Sequence, residues 1–267
     1  MPPSLLRAAA CAACLVSVAA CATAPEQTAG FLTSYEGLEA QEDSLRASIR
    51  QRRDDAAAAQ VERLRIEPAV LATDAASDLD EGERAFLLLE LERQVCYELS
   101  ERFTVVDEDG QDVARVRIAA TRITPTGRVG SVVSAAANHF IPGPIGVRTP
   151  GTLGGLAAEA ELINAQGEQV AALAWARDAT VVGTENPSLS RIGDAVQLAE
   201  PFGDMVGDAF APPGREVRAI PKPDPCARYG PRFRPEGIIG RVATGLYQPE
   251  LSGARAREEP AEAASSD

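Results

Sequence analysis

Histidine is almost missing from this chain: His139 is the single one among 267 residues. A metal centre built from several histidines is excluded, and an imidazole-based triad would have only that residue to use. Positive charge is in deficit too. The 26 Lys and Arg face 39 Asp and Glu, a net charge of −13, which disfavours nucleic acid and anionic lipid headgroups as partners. No uninterrupted apolar stretch approaches the ~20 residues that a membrane-spanning helix needs. Nucleotide and hydrolase signatures are absent: no P-loop, G-x-G-x-x-G or G-x-S-x-G stands in a strand-to-helix setting.

What the chain does have begins at its amino-terminal end. After Arg7, residues Ala8–Ala20 carry no charge, a length within the ~7–15 apolar residues of a secretory signal. Val18-Ala19-Ala20-Cys21 follows and resembles the bacterial lipobox, in which the cysteine thiol is alkylated by diacylglycerol and the signal is cut just before it. Small residues admit the peptidase, and the thiol is the nucleophile. The competing reading is ordinary cleavage near Ala20 or Ala22, leaving a free thiol. The C-x-x-C of Cys11 and Cys14 lies inside the signal and is read as part of it. The expected organisation is a signal over 1–20, a lipidated tether over 21–29, a domain over 30–211 and a Pro/Arg-rich extension over 212–267 with a disordered end. That implies a bacterial cell-envelope protein held to a membrane by lipid on Cys21. Ala22, in place of an inner-membrane-retaining Asp, points to the outer membrane facing the periplasm.

Within the domain, a charged stretch from about Glu39 to Arg53 reads as a helix. A strand begins near Arg63. The clearest helix runs through "SDLDEGERAFLLLELERQVCYELSERF", capped by Asp78 or Asp80, with Leu88, Leu91, Val95 and Leu99 on one face. Phe103 to Val106 is a short strand. Ala114, Val116, Ile118 and Ala120 alternate with Arg115 and Arg117 as a half-buried strand. Two strands, Leu156 to Ile163 and Gln169 to Val182, flank the turn "NAQG". The last helix covers "SLSRIGDAVQLAEPFGDMVGDAF", with a kink or restart expected at Pro201. Together these give an α+β fold: a mixed or antiparallel sheet of about five strands, helices mainly on one face, plus the C-terminal extension.

The ordered words Cys21, "GFLTSY", "LRIEPAV", "ELSERFTVVD", "VRIAATRITPT", "AEAELINAQGEQVAAL" and "RIGDA" resemble the bacterial lipoproteins of domain-of-unknown-function family 3313, over about Gly30 to Ala211. The resemblance implies an address and an architecture and carries no activity.

Several residues are candidates for more than packing. Phe31, Leu32 and Tyr35 are expected to dock the start of the domain onto its own core, the alternative being contact with membrane or a partner. From Val129 to Val147 no formal charge appears. This segment reads either as a short helix over about Ser131 to Asn138 packed on the sheet, or as a partner- or membrane-facing surface carrying Val129, Val132, Phe140, Ile141, Ile145 and Val147. Asp107, Asp109 and Asp112 lack the spacing of a calcium loop, and no cofactor or metal is expected. Glu159 and Glu161 share one face of a strand, suiting solvent or acid–base chemistry. Cys96 and Cys226 are a disulfide candidate in an oxidising compartment, set against Cys96 as an inert core thiol. The function this supports is a non-catalytic envelope lipoprotein that binds or positions another envelope component. The alternative is an enzyme with an unrecognised carboxylate site.

The lipobox reading has a direct test. Cys21→Ser should release the protein from the membrane fraction and leave the precursor uncut; unchanged fractionation and processing would refute it.

Overall fold

The structure is a computed structural model that describes residues 29–41, 47–72, 75, 78–138 and 146–254. Its strands, in chain order, are β1 (Glu39–Ala40), β2 (Ala47–Arg53), β3 (Arg63–Ile66), β4 (Val70–Leu71), β5 (Thr104–Val105), β6 (Val113–Thr124), β7 (Gly146–Val147), β8 (Gly155–Ile163), β9 (Gln169–Asp178) and β10 (Val182–Gly183). The helices are α1 (Asp55–Ala59), α2 (Glu81–Ser100), α3 (Arg128–Asn138), α4 (Gly193–Phe210), α5 (Pro235–Thr244) and α6 (Pro249–Ser252).

The main sheet has eight strands in the order β1-β2-β9-β8-β6-β3-β5, with β4 pairing off that path to β6. Five of them, β2, β3, β6, β8 and β9, are four residues or longer; the sequence reading contains all of these but β2, and the α+β class holds. Pairing is mixed: β3 runs parallel to β5 and β6, while β6, β8, β9 and β2 are successively antiparallel. The "NAQG" turn joins β8 to β9, with Gly167 at φ 86°.

The chain between Glu39 and Arg53 is a correction to the sequence reading. Its described parts, Glu39–Ala40 and Ala47–Arg53, are strand rather than helix: β2 pairs along its whole length with β9, from Ala47 opposite Arg177 to Arg53 opposite Ala171. Ile49 enters the core, Arg50 and Arg52 alternate with it to the other side, and Arg53 reaches the α4 carbonyls of Asp208 and Ala209. Pairing partners far along the chain override the helix propensity of a charged segment. The expected strand from Gln169 to Val182 also divides: β9 ends at Asp178, and Val182–Gly183 pairs with β7 in a separate two-stranded sheet.

Helices α2 and α4 cover one face of the sheet. Asp80 caps α2: its side chain accepts from Glu83 N, while Glu83 accepts from the Asp80 backbone, the reciprocal box that satisfies two otherwise orphaned amides. The buried stripe of α2 is Leu87, Leu91, Val95, Cys96 and Leu99, with Phe86, Leu88 and Leu89 packing only at its margin. Helix α4 continues through Pro201 rather than restarting there. It crosses α2 closely at Gly203, where a Cβ would stand 2.9 Å from the Gln94 backbone carbon. Trp175 and Phe202 meet beneath this crossing at 5.8 Å between ring centroids.

Residues 212–254 are not peripheral, while the expected disordered end lies outside the described residues. Cys226 and Tyr229 belong to the core cluster. Arg215 stacks 4.5 Å over the Phe103 ring and donates to Val61 O. Arg232 stacks 4.2 Å over Tyr97 and pairs with Asp224. Cys96 and Cys226 are joined by a disulfide, Cα–Cα 5.9 Å, across a sequence separation of 130. Arginine stacking and one covalent bond hold a segment that lacks apolar periodicity.

Replacing both Cys96 and Cys226 by Ala should leave the fold but lower its stability by about 2–4 kcal/mol, measured by urea unfolding. An unchanged midpoint would show that the stacked arginines suffice.

Candidate functional site

Two surfaces of the fold concentrate polar or apolar groups in ways that core packing alone does not require. The first lies on the sheet face opposite α2 and α4. Along β8, Leu156, Ala158, Ala160 and Leu162 point into the core, so the pleat sends Glu159 and Glu161 to the other side. Both are buried, Glu161 completely. What covers them is the segment Gly30–Leu38, which crosses that face as a strap.

The strap is fastened by hydrogen bonds. Thr33 donates to Glu161 through its amide at 2.8 Å and its hydroxyl at 3.1 Å. Gln169 Nε2 and Arg117 complete the shell of Glu161. Tyr35 donates its hydroxyl to Glu159 Oε2 at 2.7 Å and accepts from the amides of Phe31 and Leu32. Phe31 lies 4.7 Å from the Arg117 guanidinium, ring to cation. Leu32 is buried and Gly30 sits at φ 72°, a left-handed turn that favours glycine. Burial pushes the Glu159 carboxyl upward against the bond from Tyr35, with Glu161 adding to the rise. Burial, then Glu159, raises Tyr35 likewise. The acid pair therefore spends its lone pairs on the chain's own amino-terminal segment.

The second surface is built on α3. This helix docks by its small polar side. Ser131 and Ser134 donate back to Gly127 O and Gly130 O at 2.9 and 2.7 Å. Thr149 bonds Ser134 and Gly130 O, and Gly130 leaves room for Thr152, whose Cγ2 would lie 2.2 Å from an added Cβ. With that side inward, Val129, Val132 and Val133 face solvent, at 83%, 53% and 59% exposure. Asn138 Oδ1 accepts from Val147 N at 2.8 Å and so ties β7 to the end of α3. Val147 and its cross-strand partner Val182 are exposed as well. Gly245, at the end of α5, abuts Ala135 of α3.

Of the two sequence readings for this segment, the structure bears on the helix alone. The helix forms, beginning at Arg128, but its valines point outward instead of onto the sheet. His139, Phe140, Ile141 and Ile145 lie outside the described residues, as does Cys21. Sequence reasoning missed what holds the helix in place: Arg148, fully buried, forms a bidentate pair with Asp194 at 2.7 and 3.0 Å. Its traces were Arg148 bounding the uncharged run and Asp194 in "RIGDA". The acidic turn resolves into ion pairs, Asp107 with Arg228, Asp109 with Arg65 and Asp112 with Arg63. Among the described residues no group of acids, cysteines or histidines is arranged to hold a metal ion, and no helix is long and apolar enough to cross a membrane.

A polar cleft of about 480 Å³ opens between α2, α4 and the C-terminal helices, lined among others by Glu90, Arg93, Glu185, Glu200 and Asp204. Glu90 is buried, and burial drives its carboxyl upward against Arg93. Asp204 is pushed up to about 6 by partial burial, then by the negative charges of Glu98, Glu200 and Asp208.

Residues 27–206 match the family model described as "Protein of unknown function (DUF3313)". The match takes in the strap, the sheet and most of α4. No curated protein matches the chain. Among solved structures, it is similar to the PelC dodecamer from Paraburkholderia phytofirmans, at 12% identity over 61% of this chain and 96% of that one, TM-score 0.36. A single-substitution variant of the PelC dodecamer from the same organism, in another crystal form, gives 10% identity over 62% and 98%, also at TM-score 0.36.

The Asp204 shift sets a pH dependence. Its folded value of about 6 exceeds the ordinary 3.8, so the native state holds the proton longer, and the stability this provides is lost as pH rises through about 6. Asp204→Asn should raise the melting temperature at pH 7 and leave it unchanged below pH 3.8; equal shifts at both pH values would refute the assignment.

Proposed function

We propose, from the fact that the chain belongs to the DUF3313 family of proteins of unknown function, that it is a non-catalytic envelope lipoprotein. Lipid on Cys21 anchors it to a membrane, the outer membrane facing the periplasm. The folded domain presents a surface to another envelope component. The observation that carries this reading is the inverted helix α3, whose polar side is bonded inward while Val129, Val132 and Val133 face outward. A helix that buries serines and exposes valines has the wrong polarity for a free surface and the right one for an interface. The strap supports the same reading. The proposed tether ends at Ala29, and the residues just beyond are fixed to β8, so attachment at Cys21 is attachment of the whole sheet.

The catalytic alternative placed its chemistry on carboxylates such as Glu159 and Glu161. Their occupation by Tyr35, Thr33, Gln169 and Arg117 favours a structural role.

A photo-reactive residue at position 129, in cells, should give one dominant adduct, protein or lipid. Adding Val132→Asp should reduce it at least tenfold without changing the protein's amount. A label that gives no adduct, or the same adducts as one placed at Gln166 on the exposed β8–β9 turn, would overturn the reading.

A further inference from the structure

The occupant of the α3 face follows from three observations that share one geometry, given the lipid anchor proposed above. The first is charge. In a chain with 39 acids, no Asp or Glu occurs from Val113 to Ala158, the span that contains β6, α3 and β7. On α3, β7 and β10 the sole charged residue is Arg128, at the first position of the helix. In an acidic protein, the outward side of α3, β7 and β10 is apolar and carries no acid.

The second is reach. Eight residues, Ala22 to Ala29, separate Cys21 from the strap, and fully extended they span at most about 28 Å. A domain of this size is roughly 40 Å across, so a lipid on Cys21 holds part of the domain surface against the bilayer. The backbone amide of Ala29 is bound at Glu159. From there to Gly155, at the α3 end of β8, is about 13 Å along the strand. Gly154 is bonded to Asp194, and Gly127, beside the first residue of α3, to Thr152. The α3 end of the sheet lies within the tether's range.

The third is the form of the surface. Three valines on one helical side, with an arginine at the helix end able to extend toward headgroups, let the helix lie against the membrane interface, although it lacks the Lys/Arg-rich polar face of a free interfacial helix. The paired Val147 and Val182 add a second apolar edge beside it.

We infer that α3, with β7 and β10, rests on the bilayer into which the Cys21 lipid inserts, its valines entering the acyl boundary of zwitterionic lipid. The domain is then held in one orientation, and the remaining acidic surface faces away from the membrane.

With Cys21 acylated and Cys96 bonded to Cys226, the mature chain has no other cysteine, so a single introduced one carries a label cleanly. Lipidated protein bearing Val132→Cys or Val182→Cys, labelled with an environment-sensitive fluorophore, is placed in phosphatidylcholine vesicles containing an acyl-chain quencher. Quenching several-fold stronger at both positions than at Gln166→Cys supports the inference. So does its loss from position 182 when Val129→Asp and Val132→Asp are added while the protein stays on the vesicles. Equal accessibility of positions 132 and 166 to aqueous iodide, in protein whose mass confirms the acyl chains, overturns the docking and leaves the anchor standing. Disulfide cross-linking between copies through position 132 overturns it in favour of a second copy. Protein whose mass shows no acyl chains overturns both the docking and the anchor.

Discussion

The arrangement of the molecule around α3 depends on one buried ion pair. Arg148 and Asp194 are both essentially inaccessible, and their contact is bidentate. Asp194 also accepts the Gly154 amide at 2.7 Å, and its own amide contacts Thr126 Oγ1 at 3.0 Å. Asp194, at the first turn of α4, thereby fixes the loop behind α3 and the entry to β8 through its carboxylate, and the exit from β6 through its backbone amide. Two charges are costly to bury, and removing one from such a pair typically costs about 3–5 kcal/mol. That cost makes the pair a specifier of geometry. The loop Arg148–Gly154 has little apolar surface to drive it inward beyond Pro150 and Leu153, so charge replaces hydrophobic burial as the reason it returns to the sheet.

A similar substitution of forces occurs at the carboxyl-terminal side. Residues after Ala211 provide few apolar anchors, yet they lie on α2 and enter the core. The guanidinium groups of Arg215 and Arg232, stacked on Phe103 and Tyr97, supply the contact area that leucines provide elsewhere. The disulfide removes the freedom of the long loop between them. This explains how a segment that reads as an appendage completes the fold.

Those two regions also show where the sequence was legible. Alternation along Ala114–Ala120 and Leu156–Ile163 reveals β6 and β8 because each strand has one apolar face, and the Asp80–Glu83 box with its following leucines reveals α2. The charged stretch that becomes β2 was misread because its strand character comes from pairing with β9, more than a hundred residues away. The leucines of α2 are consecutive, so periodicity cannot say whether Leu87 or Leu88 faces the core; the position of α4 decides. Glu159 and Glu161 were visible as a pair on one face. Their burial was not, because it depends on a strap whose covering residues sit far upstream. For α3, composition gave the helix and the lack of charge, while its inverted polarity depends on the hydroxyls of Thr149 and Ser134 meeting across a loop.

The strap has a mechanical consequence. Its bonds converge on β8, the fourth of seven strands in the ordered path of the sheet, paired on one side with β6 and on the other with β9. A pull on the chain ahead of Ala29 meets the strap's bonds to β8 before it reaches the edge strand β1. It is delivered to the middle of the sheet, where moving β8 means shearing two long ladders at once. Fastening the amino-terminal segment to an acid pair at the centre of the sheet, instead of letting it begin as an edge strand, turns the most strongly paired part of the fold into its point of suspension.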